Sequence, residues 1–178
     1  MKPNFFSRRN FLILPVLTLF IGAATLFAQN SSDVSPSPTN SQIATIHATN
    51  TFDAVADRAL AAMQTRATEL NVKGVAVVSY AEGDVVKSWS SKMLVVGNLR
   101  NHGGNLLGIA YSKASEMADT LKASGSGVRP PIKGEYGFQG GVIAKGKTGW
   151  LIAAFSGGKS ADDVKISQAG LDKLTQSF

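Results

Sequence analysis

The sequence predicts one domain of the α/β (α+β) class, on three observations. Three stretches carry apolar residues at helical spacing, two stretches carry paired apolar runs closed by Gly-containing turns, and these alternate along residues 51–178. Each hairpin implies antiparallel pairing, so the expected core is an antiparallel sheet covered by helices.

The first helix is read from Phe52, Val55, Ala59, Leu60, Met63, Ala67 and Leu70, which recur at steps of three and four. Asp53, Asp57, Arg58, Arg66 and Glu69 lie between them, and the helix is expected to end at about Asn71. VKGVAVVSYAEGDVVKSWSSKMLVV follows as a hairpin, its turn expected at Ala81 to Asp84. GNLRNHGGN is expected to be a loop, because its Gly and Asn residues disfavour a regular element. A second helix is expected from Asn105 to about Ser124, then a long irregular connection, ASGSGVRPPIKGEYGFQGG.

Residues Gly141 to Thr148 read GVIAKGKT and match the phosphate-binding pattern G-x-x-x-x-G-K-[ST]. A phosphate loop joins a strand to a helix whose N-terminus holds the phosphates. Here Val142-Ile143-Ala144 precedes the Lys-Thr pair and the apolar strand WLIAAF follows it, so the segment is expected to be a hairpin with Lys147 in its exposed turn. A third helix is expected to open at Ser160, which would cap it, with Asp162 and Asp163 favoured at its positive end.

Upstream, a basic stretch and an apolar run from Phe11 to about Ala28 read as an export signal, 1–28, and Ser7-Arg8-Arg9-Asn10-Phe11-Leu12 resembles a twin-arginine signal. The chain is therefore expected to be periplasmic or secreted, with no membrane attachment after cleavage. Residues 29–50, rich in Ser, Thr, Asn and Pro, read as a disordered tether. Three of the 18 Lys and Arg (Lys2, Arg8, Arg9) lie in the signal, which leaves 15 basic against 12 acidic residues. Those basic residues are scattered, so no nucleic-acid partner is expected. The chain has no Cys, hence neither disulfides nor a lipidated N-terminal Cys.

VAVVSYAEGDVVKSW, the IAYSKA element at Ile109 to Ala114, and Gly140-Gly141 followed by IAAFSG and by Ala161 to Leu174 resemble the GlcG/HbpS family. The resemblance covers roughly residues 52–178. It implies a profilin-like antiparallel sheet flanked by helices, assembly into homo-oligomers, and a ligand that in some relatives is haem, others belonging to glycolate-utilisation operons. Two features depart from the family pattern. Ser79 or Tyr80 stands where the family has Asp, and Lys92-Met93-Leu94 replaces an Arg-Met-Asp element, followed by a longer gap from Met93 to Lys113.

The ligand-binding candidates are His102, Lys113, Gly140, Gly141, Ser156, Gly157 and Gly158. His102, in a Gly-flanked loop, is the first candidate for a haem axial ligand, with Met93, Met63, Met117 and the Tyr residues as alternatives; it is equally a polar loop residue. Lys113 reads either as a partner for a ligand carboxylate or as a solvated helix Lys. Arg129 and Lys133 read as anion holders or as surface charge. Ser156-Gly157-Gly158 offers backbone amides as an anion nest, or a sharp strand-to-helix turn. Phe138, Trp150 and Phe155 are expected to line a site or to belong to the core.

No hydrolase elbow surrounds Ser156, because Ala154 stands where such an elbow needs Gly. No paired carboxylates or metal-ligand spacing stand out. The expectation is therefore a small-ligand-binding protein, haem or a related tetrapyrrole first. The alternatives are a non-catalytic oligomeric or partner-binding module, and an enzyme acting on haem or a small organic acid.

Overall fold

The computed structural model describes residues 39–178. The expected signal, 1–28, and the tether up to residue 38 lie outside the described residues. The remainder of the tether is corrected: helix α1 runs Asn40–Glu69, so residues 40–50 continue the helix read from Phe52 onward. No Pro or Gly interrupts that span, so extending a helix already nucleated costs little. The helix stops where expected. Asn71 turns left-handed (φ 53°) and the Val72 amide reaches back to the Ala67 carbonyl at 2.8 Å, a Schellman-type end.

Strands β1 (Gly74–Glu82), β2 (Ser90–Val96), β5 (Gly141–Lys145) and β6 (Gly149–Ser156) form a fully antiparallel sheet of order β2-β1-β6-β5. The central strands β1 and β6 are buried on both faces, which explains their nearly unbroken apolar runs. Alternation sorts their side chains. Ala76, Val78, Tyr80, Leu151, Ala153 and Phe155 meet α1 and helix α3 (Ser160–Thr175), while Val75, Val77, Ile152 and Ala154 meet helix α2 (Leu106–Thr120) on the opposite face. Each fully buried Val, Leu, Ile or Phe contributes roughly 1.5–3 kcal/mol. The expected α+β class, an antiparallel sheet flanked by helices, is the fold observed.

Three local expectations are corrected. Ala81 and Glu82 remain in β1 because β6 pairs with them, and the connection to β2 is the longer segment 83–89. That loop folds over the β5–β6 hairpin, where Trp150 Nε1 donates to the Asp84 carbonyl at 2.8 Å and Lys145 meets the Asp84 carboxylate at 2.9 Å. The segment 97–105 contains a small hairpin, β3 (Arg100–Asn101) with β4 (Gly104–Asn105). Its central residues His102 and Gly103 have φ of 44° and 81°. Two successive positive φ values define the tight hairpin turn that Gly and Asn-like residues favour, so the composition that argued against regular structure supplies it. Third, α2 ends at Leu121, which turns left-handed (φ 54°), rather than at Ser124.

The long connection from α2 to β5 is held by charge. Arg129 bridges Asp119 at 2.6 Å and Glu135 at 2.7 Å, and Glu135 also accepts the Ile132 amide at 3.1 Å. Arg129 is thus satisfied internally, and of the two basic residues expected to hold an anion here Lys133 is exposed and has no ion pair among the described residues.

Candidate functional site

The phosphate-loop match resolves as the sequence context implies. Gly141–Lys145 and Gly149–Ser156 are paired strands, and Lys147 is exposed in the turn between them. The Lys147 amide, which a phosphate loop would present to its ligand, donates instead to the Phe178 carbonyl at 2.7 Å.

The segments that hold most of the candidate residues meet at the other end of the sheet. The end of β6, the turn before α3, the start of α2, Asn101 of β3 and residues Phe138 and Gln139 line an open cavity of about 350 Å³. Leu106, Ile109 and Phe138 give it an apolar side. Ser156, Lys159 and Ser160 give it a polar one, with Lys113 and Asp163 in the same lining.

Lys113 is buried, at 3% exposure, so it is not a solvated helix Lys. Its Nζ donates to the Phe155 carbonyl at 2.7 Å and to Asp163 Oδ2 at 2.8 Å. The ammonium passes so close to Gly140 that a Cβ there would collide with it. Gly140 also has φ of 131°, a conformation that L side chains avoid. Burial pushes the Lys113 ammonium below its ordinary pKa and the Asp163 carboxyl above its own, while their mutual attraction and hydrogen bonds oppose both shifts.

Asp163 is likewise not a solvated capping residue. Its Oδ1 accepts the Gly158 amide at 2.8 Å, and the Gly157 amide bonds to the same carboxylate. The nest expected at Gly157-Gly158 is therefore filled by an anion of the chain itself. Ser160, expected to cap α3, is its first helical residue, and the cap position belongs to Lys159, which makes no side-chain cap bond. The Asp162 and Asp163 amides both reach the Lys159 carbonyl at 2.9 Å, whereas the amides of Ser160 and Ala161 meet no acceptor among the described residues.

Of the predicted residues, Lys113, Ser156, Gly157 and Gly158 line one cavity. Gly140 and Gly141 stand behind it, the first against Lys113 and the second against Met117, with the Gly141 amide bonded to Ser124 Oγ at 2.8 Å. His102 is exposed at the turn tip beside Asn101 and is absent from the lining. Met63 and Met117 are core residues, and Met93 packs beneath α2. The Tyr80 and Tyr111 hydroxyls are bonded to Thr148 at 2.8 Å and Ser91 at 3.1 Å. Tyr136 is exposed and stacks on Phe138 at 5.5 Å. Phe155 is core and Trp150 packs with Lys145, so of the three aromatic candidates Phe138 alone lines the cavity.

Sequence reasoning missed Asn101, Leu106, Ile109, Gln139, Lys159, Ser160 and Asp163 as lining residues. Asp163 carried a signal in retrospect, since a first-turn acid beside a second Asp is more than capping requires. Among the described residues there is no group of three or more His, Cys, Asp or Glu placed to hold a metal, and no helix is long and apolar enough to cross a membrane.

No family model matches the chain, and no curated protein matches it. Among solved structures it is similar to the Klebsiella pneumoniae protein ORFY, described by the family model DUF336. The identity is 21% and the TM-score 0.46, over 68% of this chain and 88% of that one.

Proposed function

We propose that this is a small-ligand-binding domain whose ligand occupies the cavity between the start of α2, the end of β6 and the start of α3. The observation that carries this reading is the Lys113–Asp163 pair at 2.8 Å, which fixes the cavity walls. It ties α2 to α3 and, through Gly157 and Gly158, to the turn between β6 and α3, so the cavity is preorganised and binding need not order its walls. Among the described residues that line the cavity no hydroxyl is hydrogen-bonded to a base, so the reading is of binding without catalysis, in an exported protein.

Haem belongs to this reading as one member of the ligand class, although none of the cavity-lining residues is a His, Met, Cys or Tyr. A haem at the cavity mouth would take its axial ligand from His102, one residue from Asn101, or from Tyr136, which stacks on Phe138. Titrating the full chain with haemin, alongside His102→Ala, tests that member: a saturable Soret shift altered by the substitution supports it, and unsaturable binding removes it. The wider reading is tested by NMR, with a panel of neutral, acidic and basic small molecules. Saturable shifts at Leu106, Ile109 and Ser156 are expected from at least one compound. A panel, haemin included, that leaves those signals unmoved rejects the cavity as a binding site.

A further inference from the structure

We infer that the ligand of this cavity carries an oxyanion headgroup, held by the Ser160 and Ala161 amides, the Ser156 hydroxyl and the Lys159 ammonium. The inference rests on the reading of the cavity as a binding site and names the chemistry of its occupant.

The starting point is the N-terminus of α3, a helix of 16 residues with two amides that meet no acceptor in the described protein. Such amides at the positive end of a helix dipole bind anions. A second, independent observation points the same way. Ser156 is buried, at 4% exposure, lines the cavity, and its hydroxyl makes no hydrogen bond among the described residues. Among the described residues no side-chain polar atom sealed from solvent lacks a partner, so this unbonded hydroxyl opens onto the cavity, where a ligand reaches it.

Charge agrees. Lys159 occupies the cap position, where a cation opposes the helix dipole, and it forms no ion pair in the described structure. The two acids of the first turn do not relieve it. Asp163 is committed to Lys113 and to the Gly157 and Gly158 amides, and Asp162 pairs with Lys165 at 3.2 Å. Among the described residues, the Ser160 amide in the cavity's polar side and the adjoining Ala161 amide at the exposed helix start therefore have no acceptor, and the cation beside them has no counter-ion. One oxyanion supplies both. The apolar side formed by Leu106, Ile109 and Phe138 leaves room for a short apolar body attached to it.

The test is an amide NMR titration of the full chain with three probes: propionate, inorganic phosphate, and propionamide as the uncharged counterpart of propionate. Saturable shifts of the Ser160 and Ala161 amides by propionate or phosphate, and not by propionamide, are expected. Propionate alone assigns a carboxylate, and phosphate alone a phosphoryl group. Ser156→Ala should weaken that binding about tenfold, the effect of removing one hydrogen bond to a charged group. Lys159→Gln, at an exposed position where folding is not at stake, should weaken it severalfold and flatten its salt dependence. Equal binding of propionamide overturns the oxyanion and keeps the cavity. So does silence from all three probes when a neutral compound of the panel still shifts Leu106 and Ile109. Silence from every compound overturns both.

Discussion

Lys113 shows how much one side chain can hold in place. Its ammonium is within 2.8 Å of a carboxylate and a carbonyl drawn from two other elements, with almost no solvent to share the charge. Lys113→Met leaves Asp163 buried without a cation, and a loss of about 3–5 kcal/mol is expected in urea denaturation. Adding Asp163→Asn should restore part of it, because the uncompensated charge is then gone. A loss well below about 1 kcal/mol for the single variant would mean that water reaches the pair. Glu135 behaves differently, since its partner Arg129 holds its carboxyl down from 4.5 to about 2. A depressed carboxyl favours the folded state once ionised. Its contribution is therefore complete above pH 4.5 and drains away as pH falls toward 2. The denaturation midpoint of the unaltered chain should fall more steeply over that window than that of Glu135→Gln.

At the scale of elements, two helical glycines with opposite surroundings make a matched pair. Gly108 in α2 is exposed, and a Cβ there would meet nothing nearer than Asn105 at 3.7 Å, so Gly108→Ala should stabilise by about 0.5–1 kcal/mol. At Gly170 in α3 a Cβ would lie 2.5 Å from Met63 Sδ and 2.6 Å from its Cγ, where α3 crosses α1. Overpacking of this kind costs about 1–3 kcal/mol, more than the gain in helix propensity, so Gly170→Ala should lower the thermal midpoint. The same scale shows what a sequence discloses. The stepped apolar residues of α1 and the unbroken runs of β1 and β6 were legible, because burial on one face or both leaves a periodic mark. The extension of α1 to Asn40 left no such mark, and the hairpin at His102-Gly103 was masked by residues that serve loops and tight turns alike. Within the cavity, Ser156 and Lys113 were legible as candidates while their states were not. Whether Lys113 is solvated depends on Asp163, 50 positions away in the chain, and on the space left at Gly140.

For the molecule as a whole, the central strands serve two separate apolar layers. Met117 lies in the layer beneath α2 and Leu174 in the layer beneath α1 and α3, both fully buried, with the sheet between them. Met117→Ala and Leu174→Ala should each cost about 2–5 kcal/mol. Their double variant should cost the sum to within about 0.5 kcal/mol, because the two sites share no packing partner. A double-mutant cycle with a larger coupling would show that strain passes through the sheet.

Gly140 and Lys113 fit one another as lock and bolt, the ammonium occupying the space that any side chain at position 140 would claim. The two positions are thereby bound together in sequence space. The dependence runs one way: a lineage that keeps this turn keeps glycine at 140, because the φ of 131° and the Asp163 Cβ at 2.8 Å exclude a side chain there even where position 113 is shortened, whereas loss of the cation at 113 should be accompanied by loss of the charge at 163.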